Sequence, residues 1–163
     1  HFISGYTSKI AGTELGLGIE PEIAFSACFG APFMVHHPYF YADLLRRHIE
    51  NHGAKVGLVN PGWVGGKFGV GKRISIRHTR NLLTAVLSGA LEKVEFYTDP
   101  VFGFEVPKTC PEVPGDVMYP SRSWQKESEY WKKYRQLASR FIDNMKKFEI
   151  DTPKEILAAG PKI

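Results

Sequence analysis

The sequence predicts a mixed α/β fold in one domain, and three observations carry the prediction. Short apolar or aromatic runs, Val56-Gly57-Leu58-Val59 and the pieces 94–98 and 102–106, have the length and composition of strands. Longer segments repeat apolar residues at intervals of three and four, the period of a helix packed along one side. Glycine and proline mark the joins between them. With 163 residues, 43% of them hydrophobic and 23% charged, the chain has enough apolar material for one core under an ordinary charged surface.

Charge and composition narrow the classes of function. The net charge of +4 is mild and its signs alternate, unlike the basic stripe of a nucleic-acid binder. No apolar run is long enough to span a bilayer and no leader pattern is present, so neither nucleic acid nor membrane is expected as a partner. Cys28 and Cys110 stand far apart, form no metal or redox motif, and predict free thiols in a reducing cytoplasm. The chain opens at His1, without Met and inside a patterned segment. The expectation is a piece excised from a longer polypeptide.

In chain order, residues 1–22 are rich in Gly, Ser and Thr without sustained period and read as a loop, either a mobile lid or a plain connection. Residues 23–35 read as a buried strand followed by a tight turn at Gly30-Ala31-Pro32, with Cys28 an inert core thiol. His36-His37-Pro38 opens a helix, with Pro at its first turn, an apolar face of Tyr41, Leu44, Leu45, His48 and Ile49, and Gly53 as its stop. His48 and His52 have the spacing of a zinc pair but no further ligands, so they read as surface histidines.

Val56 to Val59 reads as a short buried strand, and Asn60-Pro61-Gly62 breaks it. Gly62, Gly65, Gly66, Gly69 and Gly71 then lead to Lys72-Arg73 and to a helix from about His78 to Leu91, with Leu82, Leu83, Val86, Leu87 and Leu91 as its apolar face. A strand, a glycine loop with cations and a helix suit an anion, because glycine lets N–H groups approach it and the helix start adds positive potential. Gly66 to Lys72 even spells G-x-x-x-x-G-K. Arg73 follows where a P-loop needs a Mg²⁺-binding hydroxyl, and the gap after the strand is too long. The loop therefore reads as nucleotide-contacting without being a Walker A, or as a glycine-rich surface connection.

Two strand-like pieces flank Asp99-Pro100, and residues 108–120 are Pro-rich and predict an extended crossing segment. Residues 121–150 predict one long helix with Trp124, Trp131, Tyr134, Ala138, Phe141, Met145 and Phe148 as its core stripe. Thr152-Pro153-Lys154-Glu155 spells a capping box for a last helix ending at Gly160.

Four stretches together, HFISGYTSKIAGTE, FSACFGAPFM with HP after it, LVNPGWVGGKFGVGKRISIRHTR and the ending AAGPKI, resemble ATP-dependent phosphoenolpyruvate carboxykinase over almost the whole chain. The resemblance implies the C-terminal part of a mixed α/β nucleotide-binding domain. It implies an enzyme, a decarboxylating lyase and phosphotransferase of gluconeogenesis, acting on oxaloacetate and ATP to give phosphoenolpyruvate, CO₂ and ADP, with Mg²⁺ and Mn²⁺. The family's R-I-S-I-x-x-T-R motif falls on Arg73, Ile74 and Thr79, which the resemblance makes the nucleotide contacts: Arg73 as the cation, Ile74 against the adenosine, Thr79 as a hydroxyl near adenine or ribose. Gly5 to Glu14 resembles the family's mobile lid. The family's P-loop, metal ligands and oxaloacetate-holding arginines have no counterpart here and are expected upstream, in a missing N-terminal portion. No catalytic or metal-binding residue is therefore assigned, and the isolated chain is expected to be inactive. Pro61 stands where the family pattern has Thr. The competing reading is a free-standing nucleotide- or anion-binding module using the Gly66 to Arg73 loop.

Overall fold

The computed structural model describes residues 1–9 and 18–163. The fold is mixed α/β: five α-helices and six short strands, with 3₁₀ turns between them, are formed by the described residues. The strands pair as three separate antiparallel ribbons. Where the sequence shows no internal boundary, the chain divides into two compact units, His1–Val56 with Ser139–Pro161, and Gly57–Ala138 with Lys162–Ile163. No helix among the described residues is long and apolar enough to cross a membrane.

In the first unit, β1 (Tyr6–Lys9) pairs with β2 (Glu22–Phe25). The stretch that composition reads as loop thus contains a strand, because pairing supplies the order that Gly, Ser and Thr do not encode locally. The remainder of the expected lid, residues 10–14, lies outside the described residues. Gly5 is fixed by its neighbours: its φ is +56°, and a Cβ there would lie 1.7 Å from the Ser26 carbonyl oxygen. The expected strand over 23–35 stops at Phe25 and gives way to 3₁₀ turns at Ala27–Phe29 and Ala31–Phe33. Cys28 is buried there, donates to the Pro38 carbonyl at 3.5 Å, and burial raises its thiol pKa, all in keeping with an inert thiol.

Helix α1 (Pro38–His52) has the bounds its sequence signals give. His37 caps it by accepting from the Tyr39 N–H, and Gly53 ends it in the left-handed conformation. His48 and His52 lie exposed with stacked rings 6.0 Å apart. The core of this unit forms around Phe141, whose ring meets Tyr6 at 5.4 Å and Phe25 edge-on at 5.1 Å.

In the second unit, β3 (Trp63–Val64) pairs with β4 (Lys72–Arg73), and α2 (Ile76–Leu87) follows. Then β5 (Phe96–Thr98) pairs with β6 (Glu105–Pro107). The 108–120 segment is less extended than its prolines suggest: Cys110 bridges to Val113, and Gly115–Met118 forms the short helix α3. Ala85, Cys110 and Met118 make the core here, with Leu82, Leu91, Val113 and Tyr119 against them.

The long helix is shorter than its periodicity. It begins at Glu127, after a 3₁₀ turn at Pro120–Ser123, and α4 (Glu127–Met145) then gives way to a 3₁₀ turn at Lys146–Asp151. Its stripe is turned inward, with Ala138 fully buried and Phe141 nearly so. The capping box does not form. Helix α5 (Lys154–Ala158) has Pro153 at its cap and no side-chain cap bond. The Thr152 hydroxyl turns back instead and donates to the Phe148 carbonyl at 2.6 Å, closing the preceding turn.

Candidate functional site

The expected strand at Val56 to Val59 is absent. Those residues have no regular secondary structure, belong to no ribbon among the described residues and are exposed, Val56 at 66% and Leu58 at 57%. An apolar run becomes a strand only where a partner edge and a covered face exist, and the described residues supply neither to it.

The glycine-rich stretch beyond it is a closed hairpin and not an open cradle. Val70 and Gly71 both turn their N–H groups to the Lys67 carbonyl, at 3.0 and 2.9 Å. A Cβ on Gly71 would lie 2.5 Å from the Gly66 carbonyl oxygen and 2.9 Å from that of Val64. Glycine is needed because the loop folds against itself. A P-loop, by contrast, aims successive N–H groups outward at phosphates. The G-x-x-x-x-G-K spelling therefore carries no phosphate cradle, and the free-standing anion module loses its main support.

What the hairpin does is place the R-I-S-I-x-x-T segment. Trp63 pairs directly opposite Arg73, and Ile74 donates its N–H to the Gly62 carbonyl at 2.9 Å, extending the ladder by one bond. Ser75 then breaks the extended backbone as an N-cap: its Oγ accepts from the His78 N–H at 3.1 Å, and α2 begins at Ile76. The helix thus starts earlier than the His78 start expected from its periodicity, because a serine cap and not the first apolar repeat decides the boundary. Arg73 is exposed, while Ile74 and Thr79 are half-buried. The three expected contacts are thus spaced across one strand end and the first turn of one helix.

Thr79 has a defined polarity. Its Oγ1 donates to the Ser75 carbonyl at 3.1 Å. The hydroxyl's single proton is engaged, and its lone pairs remain as acceptors. No acidic residue lies in the first turn of α2, so Lys72, Arg73 and Arg77 surround a helix start of positive potential, with Glu112 facing Arg77 at 3.6 Å.

Two residues here were not singled out by sequence reasoning. Trp63, half-exposed, shares a ribbon face with Arg73, since directly opposed residues of an antiparallel pair project to one side. That register depends on how the loop closes, and no local signal encodes it. His78 precedes Thr79, and its Nδ1 is a buried atom without a partner among the described residues. The apolar face of α2 also divides: Leu82 faces the core, whereas Leu83, Val86 and Leu87 are exposed.

Among the described residues, no three His, Cys, Asp or Glu side chains converge as a metal site. The divalent cations that the family resemblance implies therefore have no fitting ligand set among the described residues.

The phosphoenolpyruvate carboxykinase family model matches residues 1–116. Phosphoenolpyruvate carboxykinase (ATP) 2 of Moorella thermoacetica is 52% identical over 163 residues, covering all of this chain and 31% of the relative. Phosphoenolpyruvate carboxykinase (ATP) of Alkaliphilus oremlandii is 47% identical over the same span and 31% of its length. That of Afipia carboxidovorans is 50% identical over 161 residues, 99% of this chain and 30% of the relative. The chain thus spans about a third of the length of the curated relatives it matches.

Proposed function

The chain belongs to the ATP-dependent phosphoenolpyruvate carboxykinase family, and we propose that it is the nucleotide-contacting C-terminal part of such an enzyme. The reaction breaks the bond between oxaloacetate and its departing carboxylate as CO₂, and the enolate oxygen left behind takes the γ-phosphoryl group of ATP, giving phosphoenolpyruvate and ADP. Gluconeogenesis is the pathway this serves, and the cytoplasm is its place. The P-loop, the Mg²⁺ and Mn²⁺ ligands and the oxaloacetate contacts belong to an N-terminal portion of the same polypeptide.

The observation that supports this reading best is the Arg73–Thr79 segment at the join of hairpin and helix. Arg73 offers a guanidinium to phosphate oxygens or to the face of a base. Ile74 gives the adenosine an apolar contact. Thr79, with its proton held by Ser75, accepts and does not donate. It therefore suits the 6-amino group of adenine or a ribose hydroxyl, and it repels the carbonyl that guanine presents at the same place. The lid role of residues 5–14 remains part of the proposal: closure would keep water from protonating the enolate to pyruvate.

The test is a full-length hybrid, the Moorella thermoacetica relative carrying these 163 residues in place of its aligned stretch. Arg73→Ala should raise KM for ATP about ten- to a hundredfold, the worth of one charge-assisted contact, and leave KM for oxaloacetate nearly unchanged. Thr79→Val should act in the same direction more weakly. An unchanged KM for ATP, or an equal loss for oxaloacetate, would remove the segment from the nucleotide site. Purified 163-residue chain should form no phosphoenolpyruvate.

A further inference from the structure

We infer that Ser75 is a second base-reading group of the nucleotide site: its hydroxyl donates to the ring nitrogen of adenine that stands beside the amino group facing Thr79. The inference deepens the nucleotide reading above and rests on it.

Three observations carry it. First, Ser75 lies inside the R-I-S-I-x-x-T segment, directly after Ile74 and one helical turn before Thr79. It is exposed at the start of α2. Second, its polar atoms are only partly used. The Oγ accepts from the His78 N–H at 3.1 Å, which fills one lone pair. The carbonyl accepts from both the N–H and the hydroxyl of Thr79, at 3.0 and 3.1 Å. The hydroxyl proton of Ser75 has no acceptor among the described residues, and no acidic side chain stands in the first turn to take it. Third, the two hydroxyls are left with complementary tasks. Ser75 keeps a proton to give, and Thr79 keeps only lone pairs. Adenine matches that order, because its 6-amino donor stands beside an acceptor nitrogen, N7 on one edge and N1 on the other. Guanine carries a carbonyl at position 6 and offers Thr79 no proton there. One acceptor alone cannot fix how a base is turned. A donor beside it does, and Ser75 is placed to be that donor.

Two ATP analogues test this in the full-length hybrid. 7-Deaza-ATP and 1-deaza-ATP each lack one of the two ring nitrogens and keep the 6-amino group. One of them should raise KM in the parent hybrid about three- to tenfold over ATP, the worth of one neutral hydrogen bond. Which one does so identifies the edge of the base that is read. Ser75→Gly removes the hydroxyl, leaves the backbone carbonyl that holds Thr79, and costs little as a cap. It should raise KM for ATP by the same factor and lose nothing further with that analogue. Ser75→Thr restores both cap and donor, and should restore the parent's penalty for the analogue. A cap that served the helix alone would raise KM for ATP and analogue together and leave their ratio unchanged. An analogue penalty that is equal in parent and Ser75→Gly therefore overturns the inference, and so does the absence of any penalty in the parent. Arg73→Ala separates this from the nucleotide reading. If Arg73→Ala raises KM for ATP while Ser75→Gly keeps the analogue penalty, only the Ser75 contact is lost. If Arg73→Ala leaves KM for ATP unchanged, the whole segment leaves the site and Ser75 goes with it.

Discussion

Two antiparallel hairpins of the second unit dispose of their polar groups in different ways. In β5–β6, the turn residue Asp99 is buried and fully engaged. Its Oδ1 accepts from the Val101 and Phe102 N–H groups at 3.0 and 2.6 Å, its Oδ2 accepts from the Tyr134 hydroxyl at 2.9 Å, and its own N–H donates to the Phe104 carbonyl. The Tyr134 ring meets Phe102 edge-on at 5.1 Å and stacks with Tyr130 at 5.2 Å. In β3–β4, the backbone is equally self-satisfied, but Trp63, Lys72 and Arg73 extend to solvent. Ladder and turn geometry therefore do not distinguish a hairpin whose side chains are engaged from one whose side chains are left to solvent. The distinction lies in whether the side chains already have partners inside the unit.

The largest expected effect falls on the engaged hairpin. Asp99→Ala removes one acceptor group from three donors, two of them backbone. Losses of about 1–3 kcal/mol per stranded buried group put the total at about 3–4 kcal/mol in urea unfolding of the chain. Asp99→Asn should recover part of it, because the amide oxygen still accepts from the turn. A loss below about 1 kcal/mol would show that water replaces Asp99 cheaply and that the two hairpins are alike.

Next comes the loop that closes β3–β4. Gly71→Ala forces a Cβ against two carbonyl oxygens and should cost about 2 kcal/mol. Gly69→Ala meets nothing within 4 Å and is opposed only by its φ of +82°, for about 1 kcal/mol. The reverse order would mean that the loop opens away from its own backbone, as a phosphate cradle must.

These contrasts mark what the sequence could show. Helix α1 is legible to its last residue because Pro38 and Gly53 are local signals that need no partner. The α4 stripe is legible for the same reason, though its ends are not. Periodicity continues through Lys146–Asp151, where the chain tightens to a 3₁₀ turn. The Thr152 capping box fails because its hydroxyl has a competing carbonyl at Phe148. Strand β1 is hidden, since its pairing with β2 comes from tertiary context. At the candidate site, the residues of the R-I-S-I-x-x-T segment are legible by resemblance. The facing of Trp63 toward Arg73 and the donor engagement of Thr79 are not, because both follow from three-dimensional closure.

A pH effect comes third. Burial pushes the Tyr130 hydroxyl from an ordinary value near 10 up to about 12, and the Asp99 carboxylate and Tyr97 push the same way. Tyr134 is raised by burial and by its bond to Asp99. Both phenols are favoured neutral in the fold. Their contribution is therefore complete below the unfolded value near 10 and is lost as pH rises through about 12. The urea midpoint should fall progressively over that interval, and tyrosinate absorbance should show late-titrating groups. Asp99→Asn should move those groups toward ordinary values. If it does not, burial alone governs them and the carboxylate at the turn is electrostatically silent.

The smallest expected effect is the one that assigns the other hairpin. Arg73 is exposed on a two-residue strand and its guanidinium has no hydrogen bond or ion pair among the described residues, so the fold gains little from its charge. Arg73→Ala should change the unfolding free energy of the chain by no more than about 0.5 kcal/mol, the ordinary range for surface substitutions. Its backbone pairing with Trp63 survives in the variant, and so does the Ile74 bond to Gly62. Near-zero stability cost together with a raised KM for ATP in the hybrid would identify a side chain held ready for a ligand. A stability loss above about 1 kcal/mol would reverse that argument. The side chain would then be supporting the ribbon through its stem against the Trp63 ring on the same face, and any effect on ATP would follow from a displaced Thr79 and not from a lost contact. Comparing Arg73→Ala with Arg73→Met separates the two, since Met keeps the stem and loses the charge. Met should match Ala in KM for ATP if the charge touches the nucleotide, and should match the parent if packing is what matters.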